Sequence, residues 1–352
     1  MLGAAATERD AIPMTARART EWSTQRERST RPAVRLILWI ALHLGRALAR
    51  ALLYPITLYF LLKAGPQRRA SRRFLTQVLG RPARLREVAR HLHSFAATIL
   101  DRVYLLAGRR ELLDIRLHRP ELVTDRVAAG QGFLLLGSHL GSFELLRVLA
   151  IEEAQIPLKI LMYPAHNRII TELLHALNPI IADSVISLAS PQPLLAVNEC
   201  LDTHGVVGLL GDRRLPDEPA VICDFLDRRA AFPTGPLNLA AVTGVPVILP
   251  FGIYRGGNRY DVYFELLAER VELDRRDRAR RESSLKTWVQ RYADRLAHHA
   301  RAAPFNWFNF YDFWEDDDAS TSWRVIGSCG VARLSGIESL PDPVSRRFQT
   351  AG

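Results

Sequence analysis

Gly132-Phe-Leu-Leu-Leu-Gly-Ser-His-Leu-Gly-Ser-Phe-Glu-Leu-Leu-Arg-Val-Leu-Ala150 changes its periodicity part-way through. Phe133 to Leu136 is an unbroken apolar run between glycines, the pattern of a strand buried on both faces. From Phe143 the apolar residues recur at helical spacing: Phe143, Leu146 and Ala150, with Leu145, Val148 and Leu149 beside them. The switch predicts a strand ending near Gly137 and a helix starting near Ser142, with Ser142 as its N-cap. His139 falls in the turn and Glu144 in the first turn of the helix. In an open α/β sheet, ligands bind at the carboxyl ends of strands, where this histidine stands.

A histidine and an acid at this spacing can work as one unit. An imidazole titrating near neutrality can take a proton from a hydroxyl or an amine. A carboxylate on its other ring nitrogen fixes the tautomer and stabilises the imidazolium as it forms. Gly141 would let a bulky acyl donor approach the backbone. The plain alternative is a turn histidine beside a first-turn acid favoured by the helix dipole.

The chain has 352 residues, enough for one large domain or two small ones, and an ordinary share of apolar and charged residues. Its net charge of +10 is not ordinary, and arginine supplies most of it. Such a surface favours phosphates, anionic membranes or acidic partners. The chain carries no nucleic-acid-binding motif, and its basic residues are not interleaved with aromatics. Cys200, Cys223 and Cys329 lack metal-ligand spacing, so no metal site is expected, and their odd number predicts a reducing compartment without a disulfide framework.

Residues 1–30 read as a flexible arm without the features of a signal peptide. Residues 31–65 hold the most hydrophobic stretch, interrupted by His43, Arg46 and Arg50. Those charges cost roughly 2.5–3.5 kcal/mol each at a bilayer centre, so a clean span is disfavoured. The expectation is a membrane-associated helix, or two half-helices, kinked at Pro55, with the arginines snorkelling to headgroups. Arg31, Arg35, Lys63, Arg68, Arg69, Arg72 and Arg73 flank it on both sides and suit an anionic leaflet. A long core helix is the alternative.

Residues 66–110 read as helical, with His91 and His93 on the surface. Beyond the central stretch, strands at Leu158–Met162, Val185–Leu188, Gly205–Arg214, Val245–Tyr254 and Tyr260–Leu266 alternate with helices at Arg168–Leu177, Leu194–Leu201 and Leu285–Ala303. The alternation predicts an α/β fold, a mixed, mostly parallel sheet flanked by helices. Residues 316–352 read as a loosely ordered tail.

Three further groups carry possible chemistry. Asp212-Arg213-Arg214 ends a buried strand and should share a sheet edge with His139, where the guanidiniums could hold a phosphate. Phe225 to Pro236 reads as a loop entering a helix, with Phe232, Thr234 and Gly235 at a helix start whose amides could hold an anion. Asn306-Trp-Phe-Asn-Phe310 reads as the wall of an acyl pocket, an interfacial anchor or an aromatic plug on the core.

In this order and at these separations, the blocks resemble the bacterial lipid A biosynthesis (late) acyltransferases of the lysophospholipid acyltransferase superfamily. The likeness runs over roughly residues 20–315, from Glu21-Trp-Ser-Thr-Gln-Arg-Glu-Arg28 through Gly137-Ser-His-Leu-Gly-Ser-Phe-Glu144 and Gly211-Asp-Arg-Arg214 to Asn306–Trp314. It implies a glycerol-3-phosphate acyltransferase-like fold, with an acyltransferase domain over 66–315. It implies His139 as general base and Glu144 as its orienting acid, the family's His-x4-Glu pair. Gly141, Asp212, Arg213, Arg214, Phe232, Thr234 and Gly235 would bind substrate, and no cofactor is needed. The donor would be an acyl thioester of acyl carrier protein or coenzyme A, and the acceptor a hydroxyl or amine of a lipid or glycolipid. The enzyme would work at the cytoplasmic side of the inner membrane. Lipid A enzymes usually carry Trp before the Glu, whereas Phe143 stands here, which leaves the acceptor open. A non-catalytic membrane lipid-binding protein of the same fold is the competing class.

Overall fold

The computed structural model describes residues 31–153, 156–162, 177–178, 184–189, 192–214 and 218–314. Helices α1 (Arg31–His43), α2 (Arg46–Lys63), α3 (Gly65–Leu79) and α4 (Leu85–Leu106) precede the first strand. Then come β1 (Asp114–His118), α5 (Glu121–Ala128), β2 (Phe133–Gly137), α6 (Phe143–Val148), β3 (Leu158–Met162) and β4 (Val185–Ser187). The chain continues through α7 (Pro193–Asp202), β5 (Val206–Leu210), β6 (Ala220–Phe225) and β7 (Arg228–Pro233). It closes with α8 (Gly235–Thr243), β8 (Val247–Gly256), β9 (Arg259–Ala268) and α9 (Arg278–Ala302). The predicted helix at Arg168–Leu177 lies outside the described residues except for Leu177, as do the arm at 1–30 and the tail at 316–352.

The sheet is α/β and mostly parallel, as its alternating pattern dictates. Its seven strands run in the order β1-β9-β8-β2-β5-β3-β4. β8, β2, β5, β3 and β4 are mutually parallel; β9 returns antiparallel to β8, and β1 pairs parallel to β9. β2 sits in the middle with every residue buried, which its all-apolar sequence requires. Gly137 pairs with Leu210, so the turns after β2 and β5 leave the sheet side by side. Ser142 caps α6 as expected, its hydroxyl accepting from the Leu145 amide at 3.3 Å.

The stretch from Phe225 is not a loop. β6 and β7 form an antiparallel hairpin whose two-residue turn, Leu226-Asp227, has φ of 51° and 63°. Two left-handed residues in a row give the turn that matches strand twist. Leu226 is an unusual occupant, held there because its side chain is buried and its carbonyl accepts from Gln77.

The N-terminal stretch does form two half-helices, but they part at Gly45, where φ is 86°, and α2 runs through Pro55. Among the described residues no single helix is long and apolar enough to cross a membrane; α2 and α3 together pass that test, bent by 96°. Arg46 and Arg50 do not reach outward. Arg46 is bidentate on Asp101 of α4, with contacts of 2.8 and 3.1 Å, and Arg50 donates to the Tyr254 hydroxyl at 2.6 Å. Tyr260 adds a hydrogen bond to the same buried carboxylate at 2.9 Å. With its charges spent inward, α2 turns Tyr54 (70% exposed), Leu58, Tyr59 and Leu62 outward, and α1 adds Leu36 and Trp39.

His91 does not lie on the surface. It is fully buried in α4, with Nε2–H donating to the Trp307 carbonyl and Nδ1 accepting from the Ser71 hydroxyl, both at 2.9 Å. Its partners are an α3 hydroxyl and a distant carbonyl, which no local periodicity announces.

Candidate active site

The turn after β2 and the turn after β5 meet over one carboxylate. His139 Nδ1–H donates to Asp212 Oδ1 at 2.8 Å, and the His139 amide donates to Oδ2 at 3.0 Å. The Trp307 indole N–H donates to Oδ2 as well, at 2.9 Å. Asp212 is wholly buried, whereas the His139 side chain keeps 28% of its surface. A ring that donates from Nδ1 has its lone pair on Nε2, and among the described residues nothing is bonded to that nitrogen.

These contacts set the proton affinities. Burial alone would raise the Asp212 carboxyl, but His139, the Arg213 charge and the Trp307 indole outweigh it and bring it down to about 2. Burial, then the Arg213 charge, hold His139 below the usual imidazole range, against the pull of Asp212. At neutral pH the site therefore contains an ionised acid and a neutral imidazole, the state a general base needs.

Glu144 is elsewhere. Its Oε2 lies 2.7 Å from an Arg102 nitrogen of α4, and its Oε1 lies 3.6 Å from Arg147 one helical turn on. Arg147 is buried in turn against the Ser184 hydroxyl, at 2.9 and 3.1 Å. The acid that meets the ring thus comes from the neighbouring strand, and the local acid at His-x4-Glu spacing serves two arginines. The start of α6 directs Glu144 toward α4, where Arg102 draws it.

Other expected roles shift for similar reasons. Asp212 is sealed behind the imidazole and cannot touch a substrate. Gly141, at φ 77°, makes a close approach, but to β8: a Cβ there would land on the Gly252 carbonyl. The amides of this turn are also committed, Gly141 to the Asn306 carbonyl and Ser142 to the Gly252 carbonyl, both at 2.8 Å. Phe232 is fully buried between the rings of Phe225, Tyr292 and Phe313. Thr234 donates its hydroxyl to the Pro219 carbonyl, tying down the hairpin, and caps no amide of α8. A Cβ at Gly235 would sit 3.0 Å from the Glu218 carboxylate, so the chain brings its own anion to that helix start.

Arg213 does reach the His139 edge, as the paired strands require. It donates to the Asn309 side chain at 2.8 Å and the Phe308 carbonyl at 2.9 Å. Arg214 is half-buried near Tyr311. The aromatic segment is a plug on the core, with the Trp307 ring against Phe74, Phe225 and Phe313.

Over residues 26–315 the chain matches the family model of the bacterial lipid A biosynthesis acyltransferases. The chain belongs to that family. It is an acyltransferase, and the reaction needs an acyl donor and a lipid acceptor. No curated protein matches the acyltransferase's sequence. The residues the sequence did not mark for this enzyme are Trp307 as a donor to Asp212, and Arg102 and Arg147 as the partners of Glu144. The Trp307 and Arg102 pairings are made across the fold, whereas Arg147 lies three residues after Glu144 on α6, a spacing the sequence does show.

Proposed function

We propose that the protein is a membrane-associated acyltransferase that moves a fatty acyl chain from an acyl thioester to a hydroxyl or amine of a lipid or glycolipid, with His139 as general base and Asp212 as its orienting acid. The observation that carries this reading is the Asp212–His139 hydrogen bond, which leaves Nε2 as the basic nitrogen in a chain of acyltransferase ancestry.

His139 Nε2 takes the acceptor's proton as its oxygen or nitrogen attacks the thioester carbonyl. The imidazolium that forms faces the Asp212 carboxylate, which stays ionised and takes no proton. When the carbon–sulfur bond breaks, the proton passes from His139 to the departing thiolate. The products are an acylated lipid and a free thiol.

The outer face of α1 and α2 supports membrane association. A helix whose arginines turn inward to Asp101 while Tyr54, Leu58 and Leu62 turn outward has the polarity of a membrane-facing element. Lys63, Arg69 and Arg72 are exposed where α2 gives way to α3, which suits an anionic surface on the cytoplasmic side of the inner membrane. An acyl carrier protein, being acidic, would suit the basic surface as donor, and coenzyme A is the other candidate.

The test is thioester consumption by the purified protein, with acyl carrier protein and coenzyme A thioesters offered against mixed lipid acceptors. His139→Ala should lower the rate by 10²–10⁴-fold or more, roughly the worth of a general base, without unfolding the protein. A mutant with near-full turnover refutes the assignment.

A further inference from the structure

The His139–Asp212 pair is finished by a third residue that arrives from the far end of the domain. Trp307 is wholly buried, and its indole N–H donates to Asp212 Oδ2 at 2.9 Å. It is carried on a strap whose backbone is bonded to the catalytic turn itself. The Gly141 amide donates to the Asn306 carbonyl at 2.8 Å, the Phe308 amide donates to the His139 carbonyl at 2.9 Å, and Leu140 and Trp307 form an antiparallel bridge. Two side chains lock the strap from outside, His91 on the Trp307 carbonyl and Arg213 on Phe308 and Asn309.

We infer that Trp307 is a positioning residue for acyl transfer: its indole N–H pins one oxygen of Asp212 so that the other meets His139 Nδ1, and through that carboxylate it sets the tautomer and basicity of the imidazole. The inference rests on the reading of His139 as the general base.

Oδ2 is held by two N–H groups, the His139 amide and the indole, which fixes the plane of the carboxylate and aims Oδ1 at the ring. Each donor also draws negative charge from the carboxylate. Without the indole N–H the carboxylate would present more charge to the imidazole, favour the imidazolium and make His139 a more easily protonated base. A phenyl ring would fill most of the same aromatic nest, so packing alone does not require an indole here. The other charged or titratable groups around the pair are Arg213, Tyr292, whose hydroxyl donates to the Gly137 carbonyl at 2.8 Å, and Tyr311 beside Arg213.

The experiment uses the full chain in detergent micelles, with ¹⁵N in the histidine rings and tryptophan indoles. Wild-type His139 should carry its proton on Nδ1 at neutral pH. In Trp307→Phe its titration should move to higher pH, and kcat for thioester consumption should fall about 10- to 100-fold, by analogy with the loss seen when the outer-shell partner orienting a metal-bound histidine is removed. KM for the thioester should hardly change. A His139 titration and a kcat both equal to wild type would overturn the inference. Should Trp307→Phe not fold, the wild-type protein still decides: the Trp307 indole resonance should shift over the pH range in which His139 titrates, and an indole that ignores that titration overturns it. The underlying reading fails separately, if His139→Ala keeps full turnover while the indole still follows the imidazole in the wild type.

Discussion

Asp101 and Arg102, neighbours on α4, hold two different parts of the enzyme. Asp101 faces the N-terminal helices and takes Arg46 at 2.8 Å; Arg102 faces α6 and takes Glu144 at 2.7 Å. One turn of one helix therefore holds both the apolar outer layer and the first turn of α6.

Removing the Asp101 carboxylate should be costly. Its side chain is buried, and those of Arg46 and Arg50 are mostly covered, so Asp101→Ala leaves two guanidiniums facing a protein interior. Breaking a buried pair this way costs about 3–5 kcal/mol. Thermal unfolding in detergent should show a lower midpoint, and a midpoint equal to wild type would mean that water already screens these charges.

The outer face of α2 should govern membrane binding. Tyr54, Leu58 and Leu62 are 70%, 55% and 64% exposed, and burying each in lipid gains about 1.5 kcal/mol or more. Replacing all three by serine should weaken co-sedimentation with anionic vesicles by at least about tenfold while leaving the fold intact. Unchanged co-sedimentation would place the membrane contact elsewhere.

Acid should loosen the strap before it unfolds the sheet. Burial holds His91 down to about 4, and its Nε2–H already serves the Trp307 carbonyl. The folded state thus keeps His91 neutral, whereas the unfolded chain binds a proton near pH 6.5, so stability is full above that value and falls as pH drops toward 4. The loss integrates to about 3 kcal/mol. Denaturant melts at stepped pH should show it, and in His91→Phe this part of the acid slope should vanish even if the neutral-pH stability is lower. An identical slope in both proteins would contradict the assignment.

The sequence made the skeleton of the site readable because it is written locally. The change of period between Leu136 and Phe143 defines β2 and α6, and the glycine-bounded apolar run of β5 puts Asp212 on the same edge as His139. What it hid was choice of partner. Glu144 was the nearer acid in the chain, but α6 turns it toward Arg102, a residue that no local pattern links to it. Arg46 and Arg50 looked like headgroup ligands because their counter-ion, Asp101, lies on another helix. The β6–β7 turn was obscured because Leu226 and Asp227 lack the usual turn glycine, and a buried leucine takes a conformation that its sequence does not advertise.

Asp212, rather than Glu144, is expected to fix the tautomer of His139 and to stabilise its imidazolium. The most direct measurement compares kcat for thioester consumption in His139→Ala, Asp212→Asn and Glu144→Gln at neutral pH, with folding checked by circular dichroism. The account predicts that Asp212→Asn loses about 10³- to 10⁴-fold, close to His139→Ala, because the ring loses both its tautomer and its counter-charge. It predicts that Glu144→Gln loses no more than about tenfold, since its amide can still accept from Arg102. A folded Glu144→Gln as inactive as His139→Ala, beside an active Asp212→Asn, would contradict it.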